Sequence, residues 1–118
     1  VYQTDIAYDD PRTLALARRM LATNIDRDEN RASVIIWSVA NETPRTPARQ
    51  RFLETLVDDV RRLDPTRLVS AALDRNSGSP LAPVIDDPLG AKLDVLAVNE
   101  YVGWYGEHPI DSIAALTW

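Results

Sequence analysis

The 118-residue chain contains no cysteine and a single histidine. Without cysteine it can form neither a disulfide framework nor a thiolate metal site. The lone His108, lying just before Pro109, builds no zinc centre unaided. No apolar run reaches the ~18 residues of a membrane helix, so no role within a membrane is expected. Positive charge is in deficit, with 13 Lys and Arg against 18 Asp and Glu and a formal net charge of −5. Phosphate backbones are bound by clustered cations, so a nucleic-acid partner is not expected. Gly-rich phosphate loops are missing, and so is the Gly-x-Ser-x-Gly elbow that would give Ser38, Ser70 and His108 a hydrolase role. Val1 opens in mid-pattern without a signal-peptide layout, which leaves the compartment open.

An apolar fraction of 45% suits a globular domain or part of one. Asp10-Pro11 opens a helix, Asp as N-cap and Pro in the first turn, and Leu14, Ala17, Leu21 and Ile25 recur at helical spacing. A strand comes next, over residues 33–40. Thr46 caps a second helix, Pro47 starts it, and Phe52, Leu53, Leu56, Val57, Val60 and Leu63 form its apolar stripe until Asp64-Pro65 stops it. Residues 67–72 read as a short strand. Pro80, Pro83, Pro88, Gly78 and Gly90 crowd residues 74–91, which marks a long excursion at that strand's carboxyl end. Leu93 to Val98 is another apolar strand, ending at Asn99-Glu100-Tyr101, and Asp111 begins a last helix. The paired arginines (Arg18 and Arg19, Arg49 and Arg51, Arg61 and Arg62) alternate with apolar helix positions and with Asp58 and Asp59, so solvated outer faces are expected for them. Strands alternating with helices predict an α/β fold with a parallel sheet.

The run Ser33-Val34-Ile35-Ile36-Trp37-Ser38-Val39-Ala40 breaks off abruptly at Asn41-Glu42. A Val- and Ile-rich run of this length reads as a strand buried on both faces, and ligand sites of parallel α/β folds lie at the carboxyl ends of their strands. Trp-Ser-Val-Ala-Asn-Glu, preceded by Asn30-Arg31-Ala32, closely resembles the fourth barrel strand of glycoside hydrolase family two, the β-glucuronidases and β-galactosidases. Asn99-Glu100-Tyr101-Val102-Gly103-Trp104-Tyr105-Gly106 resembles the segment after strand six of the same family.

The resemblance covers essentially the whole chain and implies a partial (β/α)8 TIM barrel, from about the end of strand three to helix six. Val1-Tyr2 would be the tail of strand three, Leu68 to Ala72 strand five and Val95 to Asn99 strand six. Residues 1–118 are then expected to be a fragment of a TIM-barrel catalytic domain, since a whole barrel takes about 250 residues. The implied activity is retaining hydrolysis of a β-glycoside, a carbohydrate substrate, with no cofactor. Such chemistry uses one carboxylic acid to protonate the leaving oxygen and a second carboxylate, ~5–5.5 Å away, to attack the anomeric carbon.

By position, Glu42 would be the general acid/base and Asn41 the amide that bonds the sugar 2-hydroxyl. Asn99, Tyr101 and Tyr105 would contact the glycone, and Trp104 would form part of its wall, aromatic faces packing well on sugar C–H groups. Glu100 invites pairing with Glu42. In an extended segment, however, it points away from Asn99 and Tyr101, and the family's nucleophile ends strand seven within a Ser-Glu-aromatic-Gly type motif, which would begin beyond Trp118. Tyr2, Asp5, Asp74 and Asn76 could rim the cleft, and Trp37, on the parity opposite to Ser38, Ala40 and Glu42, reads as core packing unless a bulge intervenes. The alternative is a non-catalytic half-barrel or scaffold that self-associates or needs a complementing chain to complete its sheet. A cellulase-like barrel with a similar Asn-Glu is a third reading, against which the Asn-x-Tyr-x-x-Trp-Tyr cluster argues.

Overall fold

The computed structural model describes residues 6–74, 76–79, 82–99, 101, 103–104 and 109–115. Helix α1 spans Pro11–Asp28, and the Asp10 carboxylate caps it by accepting from the Arg12 N–H at 2.8 Å. Strand β1 is Ile36–Asn41. Helix α2 is Pro47–Leu63, and the Thr46 hydroxyl accepts from the Arg49 N–H at 3.1 Å. Both helices therefore start where a short polar side chain satisfies an orphan amide and Pro sacrifices none. Strand β2 is Leu68–Leu73.

The excursion holds structure that its Pro and Gly content does not announce. Asn76–Ser79 (β3) and Ala82–Val84 (β4) pair antiparallel, and a 3-10 helix runs over Pro88–Lys92. Strand β5 is Val95–Val98, and a second 3-10 helix covers Ile110–Ala115, with Asp111 inside its first turn instead of at its start. The strands also begin later than their apolar runs. Val34 and Leu93 spend their amides on turns, bonding Arg31 O and Gly90 O.

The sheet order β1-β2-β5 is parallel throughout, in the succession expected of barrel strands four, five and six. Side chains alternate across a sheet, so register assigns faces. Trp37, Val69, Ala71 and Leu73 face the helices, while Ser38, Ser70, Ala72 and Ala97 face the opposite, inner side. The apolar stripe of α2, Phe52, Leu53, Leu56, Val57 and Val60, lies at 0 to 3% exposure against Val39, Val69, Ala71 and Leu73. Each such side chain contributes about 1.5–3 kcal/mol by leaving water. Tyr8 closes the core edge-on to Phe52, ring centres 5.3 Å apart.

Polar links tie the helices and loops together. Arg18 on α1 forks onto Asp59 of α2 at 2.6 and 2.9 Å. Below the sheet, Asp64 accepts from Trp37 Nε1 at 2.8 Å, Thr66 Oγ1 at 2.6 Å and Arg67 Nη1 at 2.6 Å. Arg67 in turn reaches the Val34 and Glu29 carbonyls, both at 2.6 Å, stapling the α1–β1 connection to the start of β2. Trp37 thus packs on the core and anchors its indole N–H at the strand's base.

The arginines divide. Arg18, Arg19, Arg51, Arg61 and Arg62 are exposed, as helical patterning predicts. Arg49 corrects the expectation of a solvated face, for it is 1% exposed and paired with the buried Asp87. Position 49 precedes Phe52, Leu53 and Leu56 by three, four and seven residues, so it lies on the buried stripe itself.

Candidate active site

The inner face ends at the carboxyl end of the sheet, where two irregularities coincide. Ser38 pairs with Ser70 but Asn41 pairs with Ala72, so β1 carries one residue more than β2 over this stretch. Such a bulge flips the parity of the residues after it. Asn41 thereby joins the inner face of Ser70 and Ala72, and Ala40, which regular alternation would leave on that face, is buried at 4% exposure. The next residue, Glu42, has φ of +45°, unusual for a side chain with a Cβ. Its N–H donates to Ala72 O at 2.9 Å, which keeps it attached to the sheet while the chain turns.

These distortions aim both residues across β2 toward β5. Asn99 Nδ2 donates to Asn41 Oδ1 at 2.9 Å, and the Tyr101 hydroxyl donates to Glu42 Oε1 at 3.1 Å. Because β1 and β5 are separated by β2, they stand roughly 10 Å apart. Ala72 and Ala97 are the inner-face residues just beneath, and their small side chains leave room for the bridge. Four of the six positions singled out from the sequence, Asn41, Glu42, Asn99 and Tyr101, are therefore in two hydrogen-bonded pairs at one end of the sheet.

Trp104 is 78% exposed and its N–H donates to Tyr101 O at 2.8 Å, so it stands at the surface of the same turn and is not a core residue. Gly103 supplies the φ of +81° that this turn requires. Tyr105, Glu100, Tyr2, Asp5 and His108 lie outside the described residues, and Asp74 is exposed just after β2.

Next to Glu42 in the chain lies a cluster that no motif points to. Thr43, 1% exposed, accepts from Arg49 Nε at 2.8 Å. Arg49 Nη1 donates to Asp87 Oδ1 at 2.9 Å, and that same oxygen accepts from the Leu89 N–H at 2.9 Å. Arg49 Nη2 and Asp87 Oδ2 have no hydrogen-bond partner among the described residues. The guanidinium also acts on Tyr8, whose phenol is pushed up by burial and partly drawn back by the Arg49 charge.

The parallel order of β1, β2 and β5, with helices on one face, agrees with the fold of known relatives. The model of the glycosyl hydrolases family 2, TIM barrel domain, matches residues 2–116. The chain belongs to this family. It is 33% identical over 112 residues to a β-glucuronidase of Paenibacillus borealis, covering 89% of this chain and 16% of that protein. With the β-glucuronidase of Canis lupus familiaris it shares 35% identity over 86 residues, 71% of this chain and 12% of the relative. Among solved structures, a β-glucuronidase of an uncultured Clostridium species superposes with a TM-score of 0.65 at 27% identity, over 80% of this chain and 15% of that one. The chain thus spans less than a fifth of each of these relatives, and its α/β sheet is part of a (β/α)8 barrel.

Proposed function

We propose that residues 1–118 are a segment of the catalytic barrel of a retaining β-glycosidase of β-glucuronidase or β-galactosidase type, with Glu42 as its general acid/base. The observation that carries this reading is the Tyr101–Glu42 and Asn99–Asn41 pairing at the carboxyl end of the sheet. In the first half-reaction the Glu42 carboxyl gives its proton to the glycosidic oxygen. A carboxylate from another part of the barrel attacks the anomeric carbon, and the aglycone leaves as an alcohol. In the second half-reaction Glu42 takes a proton from water, whose oxygen displaces the enzyme carboxylate and returns the β-hemiacetal. Asn41 would hold the sugar 2-hydroxyl, an interaction that strengthens as charge develops on the ring. Asn99, Tyr101 and Tyr105 would contact the glycone, with Trp104 as an exposed wall. No cofactor enters these steps.

The test is Glu42→Gln in the complete barrel, assayed on aryl β-glycosides of graded leaving-group acidity. Poor leaving groups need protonation and activated ones scarcely do, so the loss in kcat/KM, which reports the first half-reaction alone, should be about 10²-fold or more for the former and far smaller for the latter. Equal losses on both would remove Glu42 from this role.

A second reading, that the 118 residues alone are an inactive half-barrel requiring a complementing chain or copy, is favoured by the surface beside β1. A groove of about 340 Å³ there is lined by Ile6, Leu16, Met20, Val39, Phe52 and Leu56, and Leu16 and Met20 are 49% and 60% exposed. Among the described residues β1 and β5 each have a single strand neighbour, which leaves two open ladders.

A further inference from the structure

Glu42 is the only non-glycine residue with positive φ among the described residues, and the residue after it is clamped by the most deeply buried ion pair among them. A left-handed backbone at a residue with a Cβ costs about 1–3 kcal/mol and persists only where the surroundings over-determine it. Burying an ion pair is also costly, and often gains nothing in stability over apolar packing. The two costs meet at one point of the chain. Arg49 and Asp87 have side chains 1% and 0% exposed, and the guanidinium's Nε is spent on the hydroxyl of Thr43, adjacent to Glu42. Asp87 is fixed in turn by the Leu89 N–H, and Leu89 is itself fully buried. Arg49 is held from the other side by α2, whose cap at Thr46 lies only three residues beyond Thr43.

We propose that Arg49, locked by Asp87, is a positioning residue for the acid/base. By gripping Thr43 it holds Glu42 in the left-handed conformation that directs its carboxyl to Tyr101 and the inner face, instead of letting the strand's alternation carry it toward the helices. Arg49 touches neither Glu42's carboxyl nor the inner face in any described contact, so it acts through the backbone. The inference rests on Glu42 being the acid/base.

The experiment compares Thr43→Val, Thr43→Ser, Arg49→Lys and Glu42→Gln in the complete barrel, on an activated and an unactivated aryl β-glycoside, with thermal unfolding measured alongside. Val keeps the shape of Thr but removes the acceptor, whereas Ser keeps it. Misplacement of a catalytic group by about 1 Å costs about 10²-fold. Thr43→Val should therefore lower kcat/KM, which reports only the first half-reaction, by roughly tenfold to a hundredfold for the unactivated substrate while sparing kcat/KM of the activated one. Thr43→Ser should restore the wild-type pattern, and Arg49→Lys, which loses the planar fork, should resemble Thr43→Val. A loss equal on both substrates, or one that Ser does not rescue, would overturn the positioning role, because a general loosening of the fold ignores leaving-group acidity. If Glu42→Gln shows the leaving-group dependence and Thr43→Val does not, only the positioning inference fails. Should Glu42→Gln lack that dependence, the acid/base assignment falls and this inference falls with it.

Discussion

Replacing Asp64 by Ala should open the base of the sheet without disturbing its carboxyl end. The Asp64 carboxylate accepts four bonds, from Thr66 N at 3.1 Å, Thr66 Oγ1 at 2.6 Å, Trp37 Nε1 at 2.8 Å and Arg67 Nη1 at 2.6 Å. Thr66 is exposed and can turn to water, so its two bonds cost little to lose. Trp37 is half-buried and would forfeit about 1 kcal/mol for its indole N–H. Arg67 keeps its carbonyl partners but loses its counter-charge, and a charged hydrogen bond of this kind is worth about 1.5–3 kcal/mol. Taken together these suggest a loss of about 3 kcal/mol in local stability, bonds in one network not being strictly additive. At 1.4 kcal/mol per decade, amides of the α1–β1 connection and the first residues of β1 and β2 should exchange with deuterium about a hundredfold faster. Exchange read by peptide mass spectrometry resolves residues 29–38 and 64–70 from the rest. Acceleration below about threefold, or a rise just as large in the first turns of α1, would refute the view that this carboxylate staples the sheet's base.

Acid should act on the same contacts. Hydrogen bonds from Thr66, Trp37 and Arg67 hold the Asp64 carboxyl well below the usual carboxylate range against the effect of its burial, and Arg18, ahead of Arg62, lowers that of Asp59. A depressed folded-state pKa stabilises above the unfolded value of about 3.9 and loses that contribution as pH falls through the folded one. Stability should therefore be flat in these groups from about pH 8 to 5 and decline steadily below about 4, and a decline already under way at about pH 6 would point to other groups. The 118-residue chain made alone should fail to hydrolyse aryl β-glycosides and should associate in light scattering, because among the described residues Leu16 and Met20 are exposed and the outer edges of β1 and β5 have no strand neighbour. A compact monomer that turns over substrate, and stops doing so with Glu42→Ala, would overturn that expectation.

Local rules carried much of the architecture. Asp10-Pro11 and Thr46-Pro47 announce their helices because capping is decided within one turn, and the α2 stripe announces its buried face because helical spacing is regular. Asn41, Glu42, Asn99 and Tyr101 were legible through their place at the ends of apolar runs and through family likeness. Less legible was whatever depends on distant partners. Arg49 meets Asp87 across 38 residues, so charge patterning within α2 suggested solvent although its position on the stripe pointed inward. The hairpin of β3 and β4 hides in a segment whose Pro and Gly content reads as irregular. Neither the bulge before Asn41 nor the φ of Glu42 leaves a mark in composition, because both answer to the register with β2 and to Thr43's anchor.

That bulge sets a condition on anyone who would transplant the Asn-Glu pair into an idealised barrel. On a strand of perfect alternation the two side chains leave on opposite sides, so one of them is always wasted on the helical layer. Here the extra residue sends Asn41 inward and the left-handed turn at Glu42 brings the neighbouring carboxyl back to the same side. A grafted motif needs both defects in sequence, one inserted residue and one backbone-strained glutamate, together with an anchor such as Thr43 to keep the second from relaxing. Copying the two letters without the two flaws would give a more regular strand, with the carboxylate inward and the amide turned to the helical layer.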